Sequence, residues 1–213
     1  MRLYLIRHGQ TVWNADQRAQ GHSDIPLDAT GLEQAQSLGP RFENRKIELI
    51  LSSDLERAKQ TASPVAEATG AEWEQLPSLR ERGFGDWEGQ PFPDIALRWP
   101  ALEAEQGIDR LHIRPPGGES FADVWDRLEP VAKRLFEETR NTVVVSHGGA
   151  CALLLARLIH GTIETSRAFR FANCSVTKLE RRPEGQFLIS TYNDVRHLTD
   201  GPVLTGSVDG ATR

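Results

Sequence analysis

Sulfur is scarce in this chain, with two cysteines and one methionine among 213 residues. Cys151 and Cys174 sit among apolar neighbours without metal-ligand spacing, which points to buried free thiols rather than a disulfide or a zinc site. Long hydrophobic runs are missing as well, since nothing approaches the ~20 apolar residues of a membrane-spanning helix. The opening MRLYLIRHG is interrupted by charge too soon for a secretory signal. Those absences read as a cytoplasmic protein with no membrane partner. Positive charge is in the minority, 25 Lys and Arg against 30 Asp and Glu, for a net charge of −5. Nucleic acid is thereby disfavoured as a partner, because phosphate backbones are gripped by clustered cations. An anionic small molecule would need a local positive pocket. No internal repeat or low-complexity linker breaks the chain, and 38% apolar with 26% charged residues is an ordinary globular composition. The length suits one α/β domain, 1–213, with a full core.

What the chain does have is an alternation of short apolar runs with helical patterns. LYLI (3–6) and TVVVS (142–146) read as central parallel strands covered on both faces. ELILSSDLERAKQTA passes from an apolar run through Ser52, Ser53 and Asp54, candidate helix caps, into a helix ending near Thr69 and Gly70. GLEQAQSLGPRF (31–42) has helical spacing at Leu32, Ala35, Leu38 and Phe42, with Pro40 expected to kink or end it. ESFADVWDRLEPVAKRLFEE (119–138) lines Phe121, Val124, Trp125, Leu128, Leu135 and Phe136 along one core stripe, with a kink expected at Pro130. CALLLARLIH continues from the SHGG turn as a buried helix, CSVTKLE and QFLISTYN read as closing strands, and about 198–213 reads as a frayed tail. The expected architecture is an α/β three-layer sandwich, a mostly parallel doubly wound sheet with helices on both faces. The Pro- and Gly-rich stretch 77–118 is expected to form a lid-like insertion.

Ligands of such sheets sit beyond the carboxyl ends of the strands. That rule brings Arg7-His8-Gly9, the stretch 52–57 and Ser146-His147-Gly148 to one rim. Arg7 would be costly to bury at a strand end without an anion to pair with. Gly9 removes a side chain where a ligand could approach, and Asn14 brings amide donors about one turn further on. His147 precedes Gly148 and Gly149 at a turn into a helix, whose first amides point at an anion. Arg57 falls in the first turn of its helix, where a cation opposes the dipole unless something anionic compensates. A guanidinium fork suits phosphate. These pieces match a phosphate pocket.

At this point the chain resembles the histidine phosphatase superfamily, the phosphoglycerate-mutase-like group, in its smaller bacterial form. The resemblance is carried by LIRHGQTVWN, QGHSDIPLDATG, SSDLERAKQTA, LRERGFGDWEG, PPGGES and VVVSHGG, in that order over roughly residues 3 to 150. It implies His8 as the nucleophile that takes the phosphoryl group and His147 as the second histidine beside it. Arg7, Asn14, Arg57 and Gly148 are then phosphate-binding, Glu81 is the proton donor, and Gln20 and Gly21 touch phosphate or substrate. Relatives often pair through sheet edges, which leaves a homodimer open.

The chemistry is consistent on its own terms. A neutral imidazole, ordinarily titrating near 6.5, can attack phosphorus without a strong base. Two arginines and a protonated His147 would stabilise the equatorial oxygens with no metal and no cofactor. Glu81 must carry a proton for the leaving oxygen, and later accept one from water, so its flanking Arg80 and Arg82 should point elsewhere. Glu88 is the rival acid. His22, His112, His160 and His197 lack comparable context, although His22 could reach a substrate. The stretch GDWEGQPFPDI lacks the Asn- and Lys-rich pattern and following arginine pair of the mutases, and Arg110 and Arg114 are only loosely placed substitutes. The reading is therefore a metal-independent phosphatase of small phosphorylated metabolites. Its alternatives are a mutase-type phosphoryl transfer, a non-catalytic phosphate-ester-binding protein, and a metal-dependent hydrolase whose ligand spacing is not found.

Overall fold

The apolar runs LYLI and TVVV lie side by side at the centre of the molecule. In the computed structural model, which describes residues 1–198, strands β1 (Arg2–Arg7) and β4 (Thr142–Ser146) pair in parallel, Leu3 opposite Thr142 and Arg7 opposite Ser146. β2 (Leu49–Ser52) joins β4 on its other side, and β3 (Glu72–Gln75) closes that edge, both in parallel. β5 (Val176–Arg181) and β6 (Phe187–Asp194) extend the opposite edge antiparallel, giving the order β3-β2-β4-β1-β5-β6. β1, β2 and β4 therefore end together, at Arg7, Ser52 and Ser146.

Side chains alternate across these strands, and the two sets feed two cores. Leu3, Leu5, Leu49, Leu51 and Val144 pack with α7 (Phe121–Glu137) and α8 (Gly148–Leu158) on one face. Tyr4, Ile6, Ile50, Val143 and Val145 pack on the other with residues of α2 (Ala29–Gln36), α3 (Leu38–Phe42) and α4 (Glu56–Thr69). Each fully buried aliphatic side chain contributes about 1.5–3 kcal/mol, so both helical layers are held by the same strands. This is the expected three-layer sandwich, with four parallel strands and two antiparallel ones.

Local chemistry adjusts the details. Pro40 does not end its helix; the break falls earlier, at Ser37, because Pro40 has no N–H for the α ladder to use, and the chain restarts as α3 with proline in its first turn. α7 runs through Pro130, capped by a reciprocal Ser120–Asp123 pair. The expected caps of α4 do not cap it. Ser52 belongs to β2, Asp54 pairs with Arg80, and the Glu56 N–H is met by Asp24 at 2.6 Å. Gly70 does close α4 in the left-handed region, φ 64°. β3 had no apolar signal, as suits a polar edge strand with a partner on one side only.

The stretch 77–118 is irregular, as expected, but carries two short helices, α5 (Phe92–Ala96) and α6 (Trp99–Gln106), after α1 (Val12–Ala15) has opened the rim on the other side. It has its own small core of Trp87, Ile95, Trp99 and Ile113 against Ala19. Trp125 is packed, with the Arg157 guanidinium 4.0 Å over its ring. Cys151 and Cys174 are buried free thiols. Among the described residues no helix is long and apolar enough to cross a membrane. Leu198 packs against the α2–α4 side; the remainder of the expected tail lies outside the described residues.

Candidate active site

Where β1 ends, its ladder runs one residue further, with the His8 N–H donating to Ser146 O at 2.9 Å. His8 is 3% exposed, and its Nδ1–H donates to the Gly9 carbonyl at 2.7 Å, which leaves Nε2 as the nitrogen with a free lone pair. Arg7 donates to Phe171 O at 2.7 Å. Gly9 is required for a reason other than ligand access: a Cβ there would stand 2.6 Å from Gly31 O, so it is α2 that approaches. Thr11 and Asn14 cap α1 reciprocally. The Asn14 Oδ1 also accepts from Asn173, which in turn holds the His8 carbonyl at 2.9 Å.

Arg57 is fully buried. Its Nε donates to His147 Nδ1 at 3.2 Å, Nη1 to Ser23 O and Nη2 to Gly21 O, both at 2.8 Å. Burial pushes its pKa down to about 10. Because His147 accepts from Arg57 at Nδ1, the neutral ring carries its proton on Nε2, which is buried and meets no acceptor among the described residues. The His8 and His147 rings stand edge to face at 5.0 Å. Both are held well below the usual histidine range, by burial first and then by the positive charge of Arg57. The sequence reading took His147 as protonated; burial and the neighbouring Arg57 instead favour the neutral ring.

Glu81 stands at the start of α8, where its carboxylate accepts from the Gly149 N–H at 2.9 Å, Ala150 N–H at 3.1 Å and Arg82 N–H at 2.9 Å. Gly149, expected to offer its amide to an anion at this turn, makes this possible, since a Cβ there would lie 2.7 Å from Glu81 Oε1. Arg80 points away, paired with Asp54. Arg82 does not leave the site; it lines the cavity, enclosed by aromatic rings. From α7, Arg127 donates to the carbonyls of Ser78, Arg80 and Glu81, while Glu119 accepts from Arg127 and from the Gly83 N–H.

One cavity is lined by Arg7, His8, Asn14, Gln20, Gly21, Arg57, Glu81 and Gly148, all predicted, with His147 packed against His8. Gln20 accepts from the Thr11 hydroxyl at 3.0 Å. Gly21 takes φ 54° and leaves no room for a Cβ, which would fall 2.1 Å from Glu88 Oε1. Glu88, the rival acid, is occupied elsewhere: it accepts from the His22, Ser23 and Phe84 N–H groups and joins two loops. His22 lies between Glu119 and the Glu81 carbonyl, its pKa raised chiefly by Glu119. His160 stacks on Phe136, His112 is exposed and His197 lies beside Arg41, all away from the cavity. Arg114 is held by Asp123 at the surface, and Arg110 lies against Trp99. Sequence reasoning missed Trp13, Arg18, Arg82, Phe121, Arg170 and Phe171 on the cavity wall. Among the described residues no group of three His, Cys, Asp or Glu is arranged to hold a metal ion.

A cavity walled by a histidine and buried arginines, with a second histidine packed against the first, is the mark of one class of protein, and the chain belongs to it: the model of the histidine phosphatase superfamily (branch 1) matches residues 3–195. Among its relatives is a Salmonella choleraesuis protein named "probable phosphoglycerate mutase GpmB", 35% identical over 96% of this chain and 97% of that one. Solved structures similar to it include the alpha-ribazole phosphatase of Shigella flexneri, with TM-score 0.81, 34% identity and coverage of 91% of this chain and 96% of that one. A mycobacterial glucosyl-3-phosphoglycerate phosphatase solved with VO3 matches at TM-score 0.79 and 32% identity, over 91% of this chain and 99% of that one.

Proposed function

We propose that this protein hydrolyses small phosphomonoesters through a phosphohistidine intermediate. The observation that carries the reading is the fixed tautomer of His8: Nδ1–H is committed to Gly9, and Nε2 faces a cavity walled by Arg7, Arg57 and Glu81. In the first step the Nε2 lone pair bonds to phosphorus, the ester P–O bond breaks, and a proton from Glu81 goes to the departing oxygen. In the second, water attacks phosphorus, Glu81 takes its proton, and the N–P electron pair returns to Nε2. Negative charge on the equatorial oxygens is met by Arg7 and Arg57, by the Nε2–H of neutral His147, by the Asn14 amide and by the start of α8 at Gly148. The reading calls for no metal. Gln20 and Gly21 bound the substrate side, and residues 77–118 cover it.

The test is phosphate release from p-nitrophenyl phosphate with EDTA present. Release is expected from the native protein and lost by ~10⁴-fold or more in His8→Ala, and with 32P-labelled substrate an alkaline quench, which spares the acid-labile phosphohistidine, should trap label on the native protein. Equal release by His8→Ala would overturn the nucleophile. A mutase reading has one observation in its favour, the name of the Salmonella relative. Against it, Arg114 is tied to Asp123. Interconversion of 3- and 2-phosphoglycerate faster than phosphate release would replace the phosphatase reading.

A further inference from the structure

Arg82 is 2% exposed, yet its Nε and Nη1 groups meet no hydrogen-bond acceptor among the described residues. Its guanidinium is enclosed by the rings of Phe121 at 4.1 Å, Phe84 at 4.6 Å and Trp99 at 5.1 Å. Aromatic faces attract a cation but accept no conventional hydrogen bond, and burial of a charge without a paired anion is costly. Burial pushes the Arg82 pKa down to about 9, with Glu81 opposing that fall and Arg110 adding to it. A folding-only function would be better served by methionine or leucine. Arg82 nevertheless stands on the wall of the cavity that holds His8 and Glu81.

We propose that Arg82 binds a second anionic group, a carboxylate or further phosphate, on the leaving portion of the substrate, so that this enzyme selects phosphomonoesters carrying two separate negative groups. The proposal rests on the phosphatase reading for the identity of the first group. The Arg82 cation is held in place by three rings rather than by acceptors, so its N–H groups are not diverted before the ligand arrives. This is a specificity device distinct from the phosphoryl pocket, whose Arg57 donors are anchored on the Ser23 and Gly21 carbonyls and on His147 Nδ1.

The experiment is a calorimetric titration with a matched, non-hydrolysable pair, 3-phosphonopropionate and propylphosphonate, on the native protein and on Arg82→Met and Arg82→Lys. The native protein is expected to prefer the carboxylated compound by about 10–100-fold, the scale of a charged hydrogen bond. Arg82→Met should abolish the preference and Arg82→Lys should retain part of it. The melting temperature of Arg82→Met should rise by about 2–4 °C, because an unpaired buried cation has been removed. No preference in the native protein, or an unchanged preference in Arg82→Met, overturns the proposal, as does equal loss for both compounds with a fall in melting temperature. Phosphate release by native protein and His8→Ala is measured in parallel. If release fails while the Arg82-dependent preference persists, the hydrolase reading falls and the second-anion site stands.

Discussion

The two walls of the cavity are built in opposite ways. The sheet-side wall comes from strand ends: Arg7 and His8 follow β1, His147 follows β4, and Arg57 opens α4 after β2. Its polar groups are tied down, His8 on Gly9, Arg57 on Gly21, Ser23 and His147, and Asn14 on Thr11 and Asn173. The other side, 77–118, contributes no strand; Leu79 and Leu111 anchor it in the core of the α7–α8 face, and the rest takes its shape from a small aromatic core and from Arg127 and Glu119 gripping the backbone around Glu81. One wall holds its polar side chains in fixed positions, and the other presents a cation and rings. On the proposed reading, the first wall carries the phosphoryl chemistry and the second the selectivity.

The largest effect is expected from breaking the rigid wall. Arg57→Ala removes the donor to His147 and the links to Gly21 and Ser23, and should lower kcat by about 10²–10³-fold. Steady-state kinetics beside a circular dichroism spectrum checks this. Turnover within threefold of native in a folded variant would show that Arg57 is not part of the charge-stabilising set.

A smaller and more selective effect is expected where the walls meet. Gly149→Ala puts a methyl 2.7 Å from Glu81 Oε1 and must displace the carboxylate or the start of α8. Displacement of an acid matters only when the leaving oxygen needs its proton. The ratio of alkyl phosphate to p-nitrophenyl phosphate turnover should therefore fall by about 10–100-fold. A uniform loss on both substrates would instead mean that Gly149 supports the phosphoryl pocket alone.

The same contrast explains what could be read from the sequence. Strand ends are legible because all-apolar runs such as LYLI and TVVV leave one outcome for the residue that follows, the rim. Every predicted phosphate contact was found on the cavity, with His147 packed behind His8. The cover was legible only as irregular chain. Nothing periodic governs side-chain direction there, so Arg82 gave no sign that it would turn into the rings of Phe84, Trp99 and Phe121. The pull of burial and Arg57 toward a neutral His147 could not be read there, because both depend on residues far apart in sequence. The caps of α4 failed for a similar reason: Asp24 and Arg80 are long-range partners.

The smallest effect is one of stability, and its sign differs between the walls. His8 and His147 have pKa values held well below the unfolded value near 6.5. Below that value the unfolded chain binds protons that the folded chain refuses, so their neutral burial favours folding in full above pH ~6.5 and loses ground as pH falls. His197, lowered to about 4, acts in the same direction. His22, between the loops of the cover, is raised by Glu119, so its contribution is present below pH ~6.5 and is lost as pH rises through its folded value. Carboxylates such as Glu119, held to about 2, do not enter until lower pH. Melting temperatures measured from pH 7.5 to 5.5 should therefore fall, at about 2–4 °C per pH unit below pH ~6.5 for each depressed histidine. His147→Gln should make that fall shallower, and His22→Gln should make it steeper. If both substitutions shift the slope in the same direction, the two walls do not differ in electrostatic design.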